Sequence, residues 1–296
     1  MSVEFCGLTL AHPIVNGSGT FDAIAARRVF GEELLEQFPF SAYVSKTITL
    51  EPRAGNPPPR LWETPAGLIN SIGLPNKGLD GYLREDLPQL AQLTAAACTP
   101  VGEACSVPLI TNVMGATADE LARLVEACDA RAEIAAIELN VSCPNVKTGL
   151  DIGADPGQLE QVVSAVRGRT AKPLIVKLTP NTADVPACAR GAEHGGADAV
   201  SLINTLRATA LAPAGARGSR WLGGGTGGQS GPAIRAVALA QVAAVAAQVA
   251  LPVIGMGGVQ SAAHARELID VGATLVAVGT ESFRDPAAGI RIAQGL

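Results

Sequence analysis

The stretch that decides the fold is Ile137-Glu138-Leu139-Asn140-Val141-Ser142-Cys143-Pro144-Asn145. It begins as an apolar run and changes to amides, a hydroxyl and a thiol, which is typical of a short buried strand that emerges at the edge of a sheet. Pro144 disfavours a helical conformation at Cys143, so a loop is expected to follow the strand. In α/β proteins, ligands bind where such strands end.

Seven further apolar runs end in the same way, in small or polar residues. They are Pro13-Ile14-Val15, Ala42-Tyr43-Val44, Leu109-Ile110, Leu174-Ile175-Val176, Ala199 to Ile203, Val253 to Met256 and Leu275 to Val278. Stretches of helical period separate most of them, and helix start signals stand at Thr117, Asp155, Asp184 and Ser261. This alternation predicts an α/β fold, a (β/α)8 TIM barrel, as a single domain over residues 1–296.

Two long segments interrupt the alternation. Residues 48–76 and 206–231 are rich in Pro, Gly and Asn, and each follows a predicted strand. Long irregular loops within a compact domain are usually either functional or disordered. We expect both segments to form loop insertions over the C-terminal face of the barrel strands.

Composition excludes several classes of protein. The 296 residues are 48% hydrophobic and 17% charged, with a net charge of −5 and no basic run, so neither nucleic acid nor a membrane is an expected partner. The N-terminus does not resemble a secretory signal, and a cytoplasmic location is expected. The six cysteines are irregularly spaced and without a CxxC, which argues against a metal site, an Fe–S cluster or a disulfide framework.

Polar residues at strand ends are the best evidence for a ligand site. Lys46, Asn112, Asn140, Lys177 and Asn204 each fall within a residue or two after an apolar run. The alternative is that each merely caps a strand in solvent. In a parallel barrel, however, all of these ends meet on one face, where a ligand can contact them together.

Glycine turns follow the last two predicted strands. Gly257-Gly258 and Gly279-Thr280 stand where barrels often bind phosphate with backbone N–H groups, although two tight turns would leave the same pattern. The segment Gly227 to Pro232, before an Ala-rich helix, could close on the same phosphate. A G-x-G-x-x-G match at Gly223 to Gly228 is rejected as a dinucleotide site because no strand precedes it in a βαβ unit.

Cys143 is the one cysteine with polar neighbours, Ser142 and Asn145. The others fit the common pattern of inert cysteines. A thiol can act as a base when its surroundings favour the thiolate. A nucleophilic cysteine normally needs a His partner, and none is near in sequence, so base chemistry is favoured.

Taken together, these motifs resemble class 1 dihydroorotate dehydrogenases. The resemblance rests on Ser45-Lys46-Thr47, Gly55 to Arg60, Asn70-Ser71-Ile72-Gly73-Leu74-Pro75-Asn76, the stretch Glu138 to Asn145, Val176-Lys177-Leu178, Ile203 to Leu206, Gly227 to Pro232, Gly255 to Gly258 and Gly279-Thr280. It runs in order through nearly the whole chain, and the joint occurrence of these motifs is highly specific. It implies an FMN-binding barrel that oxidises dihydroorotate to orotate in pyrimidine (UMP) biosynthesis.

The resemblance also implies roles for individual residues. Cys143 would be the catalytic base that removes a proton from ring carbon 5, while hydride leaves carbon 6 for the flavin. Substrate contacts would come from Lys46, Asn70, Ser71, Ile72, Gly73, Leu74, Asn76, Asn140, Asn145, Asn204 and Thr205. FMN contacts would come from Ser18, Lys46, Thr47, Asn112, Asn140, Lys177, Ile203, Gly231, Gly257, Gly258, Gly279 and Thr280.

The motifs Ile203 to Leu206 and Gly227 to Pro232 look most like the class 1B branch. That branch implies a homodimeric core in a heterotetramer with a separate subunit that carries FAD and an Fe–S cluster and passes electrons to NAD. The alternative within the family is a homodimeric class 1A enzyme that uses fumarate. Outside it, the alternatives are a Schiff-base aldolase using Lys177 and a silent barrel that binds a phosphate ligand for regulation. The segment Cys98 to Cys105 departs from the family pattern as a small insertion.

Overall fold

The structure is a computed structural model that describes residues 2–101, 104–141, 152–212 and 219–296. Its strands are β1 (Val3–Phe5), β2 (Leu8–Leu10), β3 (Ile14–Asn16), β4 (Tyr43–Val44), β5 (Leu61–Thr64), β6 (Gly67–Asn70), β7 (Cys98–Thr99), β8 (Ala104–Cys105), β9 (Leu109–Val113), β10 (Ala136–Asn140), β11 (Leu174–Lys177), β12 (Ala199–Leu202), β13 (Leu206–Ala208), β14 (Gly227–Ser230), β15 (Val253–Met256) and β16 (Leu275–Val278).

Helices alternate with the strands of the central sheet. They are α1 (Ala23–Phe30), α2 (Glu33–Glu36), α3 (Gly78–Gly81), α4 (Leu87–Ala96), α5 (Ala118–Asp129), α6 (Pro156–Arg167), α7 (Val185–His194), α8 (Arg235–Ala246), α9 (Ala262–Asp270) and α10 (Ala288–Gln294). A π-helical turn spans Tyr82–Asp86, and 3₁₀ turns span Ile152–Ala154, Pro232–Ile234 and Thr280–Phe283. No helix in the described residues is long and apolar enough to cross a membrane.

The central sheet is a parallel barrel. Its strands follow the order β3-β16-β15-β12-β11-β10-β9-β4, and every neighbouring pair is parallel. All eight strands coincide with the eight apolar runs predicted from the sequence. The (β/α)8 prediction is therefore confirmed.

The side chain of Asn16 bridges the gap between β3 and β4. Its Nδ2 donates to the Val44 carbonyl at 2.8 Å, and its Oδ1 accepts from the Val44 N–H at 2.8 Å. At the other end of β3, the Ser41 N–H donates to the Ile14 carbonyl at 3.0 Å. A buried carboxamide thus supplies both bonds that a ladder would have supplied, because it carries a donor and an acceptor.

The lower half of the barrel interior is apolar. Val15, Val44, Ile110, Ile175 and Ile254 meet there with other inward-facing side chains in one cluster. Phe5 and Leu10, from the hairpin of β1 and β2, belong to the same cluster and are 1% exposed. The N-terminal hairpin therefore closes this end of the barrel with side chains removed from water.

The predicted helix starts are confirmed by their caps. The side chains of Thr117, Asp155, Asp184 and Ser261 each accept a backbone N–H from the third residue after them. The carboxylate of Glu120 accepts from the Ala116 N–H at 2.8 Å, one residue before the cap residue Thr117. These caps satisfy backbone N–H groups in the first turn of α5, α6, α7 and α9.

The two inserted segments contain ordered structure that the sequence analysis treated as irregular. Strands β13, β14, β6 and β5 form an antiparallel sheet in that order. Its register pairs Gly228 with Asn70, which are 158 residues apart in the chain. Trp62 packs edge-on against Trp221, with ring centroids 5.5 Å apart. We refer to this sheet as the cover sheet.

The prediction that the cysteines form no disulfide was wrong for one pair of cysteines. Cys98 and Cys105 are bonded across the hairpin of β7 and β8, the insertion noted in the sequence. The two cysteines face each other directly in this hairpin register, which the spacing alone did not indicate. Cys128 and Cys188 are free and buried in α5 and α7, as the helical pattern predicted.

Candidate active site

A cavity of about 520 Å³ lies between the C-terminal ends of the barrel strands and the cover sheet. Lys46, Asn140 and Lys177 reach it from β4, β10 and β11 or from the residue positions just after them. Asn70 and Gly228 line it from the cover sheet. Its size is within the range of small-molecule sites, roughly 300–1,000 Å³.

The floor of the cavity is a buried polar layer inside the barrel. Glu138 is 2% exposed and Lys177 is 6% exposed, and the Lys177 Nζ lies 3.9 Å from the Glu138 Oε1. Asn112 donates from Nδ2 to the same Oε1 at 2.6 Å. Ser201 donates from Oγ to the Glu138 Oε2 at 3.4 Å. The carboxylate therefore joins β9, β11 and β12 to β10 through polar contacts.

One wall carries a chain of hydroxyl and amide groups. The Ser18 Oγ donates to the Ser45 carbonyl at 2.8 Å and lies 3.3 Å from the Thr47 Oγ1. The Asn140 Nδ2 donates to the same Thr47 Oγ1 at 3.4 Å. Ser18, Thr47 and Asn140 all line the cavity, so this wall offers several hydrogen-bonding groups to a ligand.

Glycine turns line the opposite end of the cavity. Gly231 and Gly258 have φ of +88° and +68°, and a Cβ on Gly258 would stand 2.8 Å from the Gly231 carbonyl oxygen. Only glycine suits both positions, because φ is positive and the backbones approach too closely for a side chain. Beside them, the Thr280 Oγ1 donates to the Ser230 Oγ at 2.8 Å. This end of the cavity is built from backbone and hydroxyl groups.

The side of the cavity next to the cover sheet is rich in amides. The Asn70 Nδ2 donates to the Gly228 carbonyl at 3.3 Å. The Asn204 Oδ1 accepts from the Thr205 N–H at 2.8 Å. A Cβ on Gly228 would lie 1.8 Å from the Thr205 Oγ1. Strand β14 can therefore approach Thr205 this closely only because residue 228 is glycine.

Most of the residues expected to bind a ligand line this one cavity. They are Ser18, Lys46, Thr47, Asn70, Ile72, Gly73, Leu74, Asn140, Lys177, Ile203, Asn204, Thr205, Gly231, Gly257, Gly258, Gly279 and Thr280. Residues as far apart in sequence as Ser18 and Thr280 thus converge on a single volume. The strand-end pattern accounts for this convergence, since parallel strands end on one face.

Three other expected residues lie behind the cavity wall. Ser71 is buried and donates from Oγ to the Thr226 carbonyl at 2.7 Å. The Asn76 Oδ1 accepts from the Gly78 N–H at 2.8 Å, and its Nδ2 donates to the Leu74 carbonyl at 2.8 Å. Asn112 belongs to the floor layer. Cys143 and Asn145 lie outside the described residues.

Several residues that line the cavity or support it were not predicted as site residues from the sequence. Glu138 was not singled out, although a charged residue within the apolar run Ile137 to Leu139, two positions before Asn140, signals the same inward face. The cavity is also lined by Gly17, Gly19, Thr20, Leu61, Leu68, Ile234, Met256 and Phe283, and by Gly228 and Ser230 from the segment Gly227 to Pro232 that the sequence placed near a phosphate. Leu61, Leu68 and Ser230 belong to the cover sheet, whose pairing the sequence pattern did not reveal.

The arrangement suits a planar, anionic ligand. Two lysines can offset negative charge, and amides can donate to or accept from a ring with polar groups at its edge. The glycine turns allow a close backbone approach to a phosphate. Within the described residues, no group of three or more His, Cys, Asp or Glu side chains could hold a metal ion.

Comparison with known proteins gives a consistent result over the full chain. Residues 1–296 match the family model described as dihydroorotate dehydrogenase. A Trichlorobacter lovleyi protein named dihydroorotate dehydrogenase B (NAD(+)), catalytic subunit, is 45% identical over 300 residues, which cover 100% of this chain and 92% of that protein. Proteins of the same name from Geotalea uraniireducens and Desulforudis audaxviator are 43% and 44% identical, covering 100% of this chain and 92% and 91% of theirs.

Proposed function

From the premise that this chain belongs to the dihydroorotate dehydrogenase family, we infer that it is an oxidoreductase that converts dihydroorotate to orotate in pyrimidine biosynthesis. The observation that connects this reaction with particular residues is the cavity at the C-terminal face of the barrel. There, Lys46, Lys177 and Asn140 meet the amides of Asn70 and Asn204. The full-length family match does not favour the alternative of an aldolase.

We propose FMN as the cofactor of this site. When bound, FMN supplies a ring that accepts hydride. The turns at Gly231, Gly257, Gly258 and Gly279 would hold its phosphate, with Thr280 adding a hydroxyl. The fit is supported by the positive φ of Gly231 and Gly258, where a Cβ would clash with neighbouring protein atoms, so that the backbone at both positions stays free of side chains.

The floor and one wall would hold the flavin ring. Lys177 is buried and lines the cavity, so its charge is poorly screened by solvent and can stabilise negative charge in the ring. Ser18, Thr47, Asn140 and Ile203 line the same cavity. The Asn112 Oδ1 is buried without a hydrogen-bond partner among the described residues, and a buried acceptor of this kind fits a site completed by a bound group.

The substrate would bind on the side next to the cover sheet. Asn70, Asn140, Asn204 and Thr205 provide donors and acceptors for a planar imide and its carboxylate, with Lys46 contacting both substrate and flavin. Ile72, Gly73 and Leu74 line the cavity beside them. Asn76 would act by fixing this loop, since it accepts from the Gly78 N–H and donates to the Leu74 carbonyl. Ser71 would fix its start.

Cys143 is proposed as the base that takes the proton from ring carbon 5, with Asn145 as a further substrate contact. Both follow from the family motif and lie outside the described residues. We expect Cys143→Ser to slow flavin reduction by dihydroorotate about 10²- to 10⁴-fold at neutral pH, because a serine hydroxyl ionises far less readily than a thiol and so supplies almost no deprotonated base. Anaerobic stopped-flow absorbance measures this rate. Cys128→Ser, at a buried position of helix α5, is the matched control and should keep the parent rate. A Cys143→Ser rate equal to that of the parent removes this role.

The electron acceptor is proposed from the names of the relatives. Each is called a catalytic subunit and is named for NAD(+). We propose that this chain forms a homodimeric core and passes electrons to NAD through a separate subunit with FAD and an Fe–S cluster, in the cytoplasm. Purification of the untagged complex from its native cells tests this. A flavin and iron–sulfur protein should copurify, whereas fumarate-dependent turnover by the isolated chain would contradict the proposal.

The reaction itself is tested by anaerobic titration of the FMN-loaded protein with dihydroorotate. The visible flavin absorbance should bleach, with one orotate formed for each flavin reduced. A protein that binds no FMN, or whose flavin stays oxidised while the parent fold is intact, would contradict the proposal. Borohydride trapping of a substrate on Lys177 would instead favour a Schiff-base enzyme.

A further inference from the structure

Glu138 is a buried acid that the proposed reaction leaves without a role. It is 2% exposed and lies inside the barrel below the cavity, so its carboxylate must be matched by partners. Those partners are Lys177, Asn112 and Ser201. Two of them, Lys177 and Asn112, belong to the set expected to contact the flavin.

The contact with Asn112 fixes the orientation of an amide. A carboxylate only accepts hydrogen bonds, so the Asn112 Nδ2 must face the Glu138 Oε1, as its 2.6 Å contact shows. The Asn112 Oδ1 then remains an acceptor, buried and without a partner among the described residues. Glu138 thereby decides that Asn112 offers an acceptor and not a donor to whatever completes the site.

The contact with Lys177 balances charge. The Lys177 Nζ lies 3.9 Å from the Glu138 Oε1, and both side chains are almost fully buried, so solvent and salt screen the pair weakly. The positive potential that Lys177 produces in the cavity is therefore reduced by the Glu138 carboxylate behind it. Removal of the carboxylate charge would raise the positive potential at the cavity floor.

We propose that Glu138 is a positioning residue that sets the reduction potential of the bound flavin through Lys177 and holds Asn112 as an acceptor. This proposal rests on the proposed function, since it concerns a flavin in that cavity. Hydride transfer adds negative charge to the flavin ring. The carboxylate opposes that charge and so keeps the potential of the flavin lower than Lys177 alone would make it.

Glu138→Gln isolates the charge from the shape. Glutamine keeps the side-chain length, and its Oε1 can still accept from Asn112. The midpoint potential of bound FMN, measured by equilibration with reference dyes, should become more positive in Glu138→Gln. Glu33→Gln, which removes one charge at an exposed position of α2, is the matched control and should keep the parent potential.

A double-mutant cycle tests whether the effect acts through Lys177. Glu138→Gln should shift the potential in the parent background and leave it nearly unchanged in a Lys177→Met background, because a buried carboxyl group that has lost its counter-ion is expected to be uncharged. An unchanged potential in Glu138→Gln overturns the proposal. An equal shift in both backgrounds also overturns it, because the carboxylate would then act without the lysine.

Thermal unfolding of the flavin-free proteins gives a second readout of the same cycle. Breaking a buried ion pair by removing one partner is more damaging than removing both. Glu138→Gln should therefore lower the Tm of the parent more than it lowers the Tm of Lys177→Met. If Glu138→Gln alone fails to fold, folding of the double variant supports the pair, and failure of the double variant alongside a folded Lys177→Met overturns it.

The two readouts separate this proposal from the proposed function. A parent protein that binds no FMN defeats the proposed function, and the flavin-free unfolding cycle still decides whether Glu138 and Lys177 are coupled. A parent that is reduced by dihydroorotate, combined with an unshifted Glu138→Gln potential, defeats only the role of Glu138.

Discussion

The lower and upper halves of the barrel interior are built by the same strands but differ in chemistry. On each of four strands, an apolar side chain of the lower half is followed two residues later by a polar side chain of the upper half. The inward-facing pairs are Ile110 and Asn112 on β9, Ala136 and Glu138 on β10, Ile175 and Lys177 on β11, and Ala199 and Ser201 on β12. Because side chains two apart in a strand share a face, a single step along four strands turns an apolar core into a polar floor.

This difference separates stability from function within one barrel. The lower layer, closed by Phe5 and Leu10, removes apolar surface from water and gains stability from it. The upper layer holds Lys177 and Glu138 away from water, where charges interact strongly with a ligand. Variants in the lower layer should therefore mainly lower the free energy of unfolding, whereas variants in the upper layer should mainly lower the rate of flavin reduction.

Among variants in these two layers, Lys177→Met should have the largest effect on the reaction. The rate at which dihydroorotate reduces the flavin should fall about 10²- to 10³-fold, since one charge that stabilises the reduced ring is lost. Lys172→Met is the matched control, because Lys172 precedes the opposite end of the same strand and donates to the Ile134 carbonyl at 2.6 Å. It should keep the rate. Equal slowing by both variants would contradict the prediction that only the C-terminal end of β11 takes part in the reaction.

Ile175→Ala should have the opposite profile. Ile175 is fully buried in the lower layer, two residues before Lys177, and its truncation leaves a cavity. We expect a loss of about 2–5 kcal/mol in the free energy of unfolding, measured by urea denaturation. The rate of flavin reduction should remain within a factor of a few of the parent. A large loss of rate in a folded Ile175→Ala protein would show that the halves are not separable.

His12 makes the lower end sensitive to acid. Burial lowers the pKa of His12 to about 4, against about 6.5 in an unfolded chain. Between these values the unfolded chain binds a proton that the folded chain does not, so stability falls as the pH drops through about 6.5 and the loss is complete below about 4. From about pH 7 to about pH 5 the loss should be about 2 kcal/mol.

His12→Asn tests this contribution. The Ile14 N–H donates to the His12 Nδ1 at 3.2 Å, and the amide oxygen of asparagine can accept in its place without titrating. The variant should lose about 2 kcal/mol less than the parent between these two pH values, measured by urea denaturation at each. The same pH dependence in parent and variant would assign the acid sensitivity to other groups.

The barrel could be predicted from sequence because its signal is local. Each strand is an apolar run buried on both faces, and Asn140 and Lys177 follow their runs directly. The cover sheet could not, because β13 and β14 are short, β14 is Gly-Gly-Gln-Ser, and β14 pairs with a strand about 160 residues earlier. Nothing in the sequence of either segment alone specifies that pairing.

The part of the site that lies at strand ends could also be predicted, because its signal is local as well. Lysines and asparagines at strand ends were found, since each follows its run. Glu138 was missed because an acid within an apolar run contradicts the simple pattern, although its inward face followed from Asn140 two residues later. Leu61 and Phe283, which line the cavity from the cover sheet and the 3₁₀ turn after β16, depend on tertiary packing that no local motif encodes.

The most direct test of the account is a crystal structure of the protein with FMN and orotate. The flavin should lie in the cavity over the Glu138 and Lys177 layer, with its phosphate at Gly258 and Thr280 and orotate on the side of Asn70 and Asn204. Flavin bound outside this cavity, in a crystal that retains activity, would contradict it.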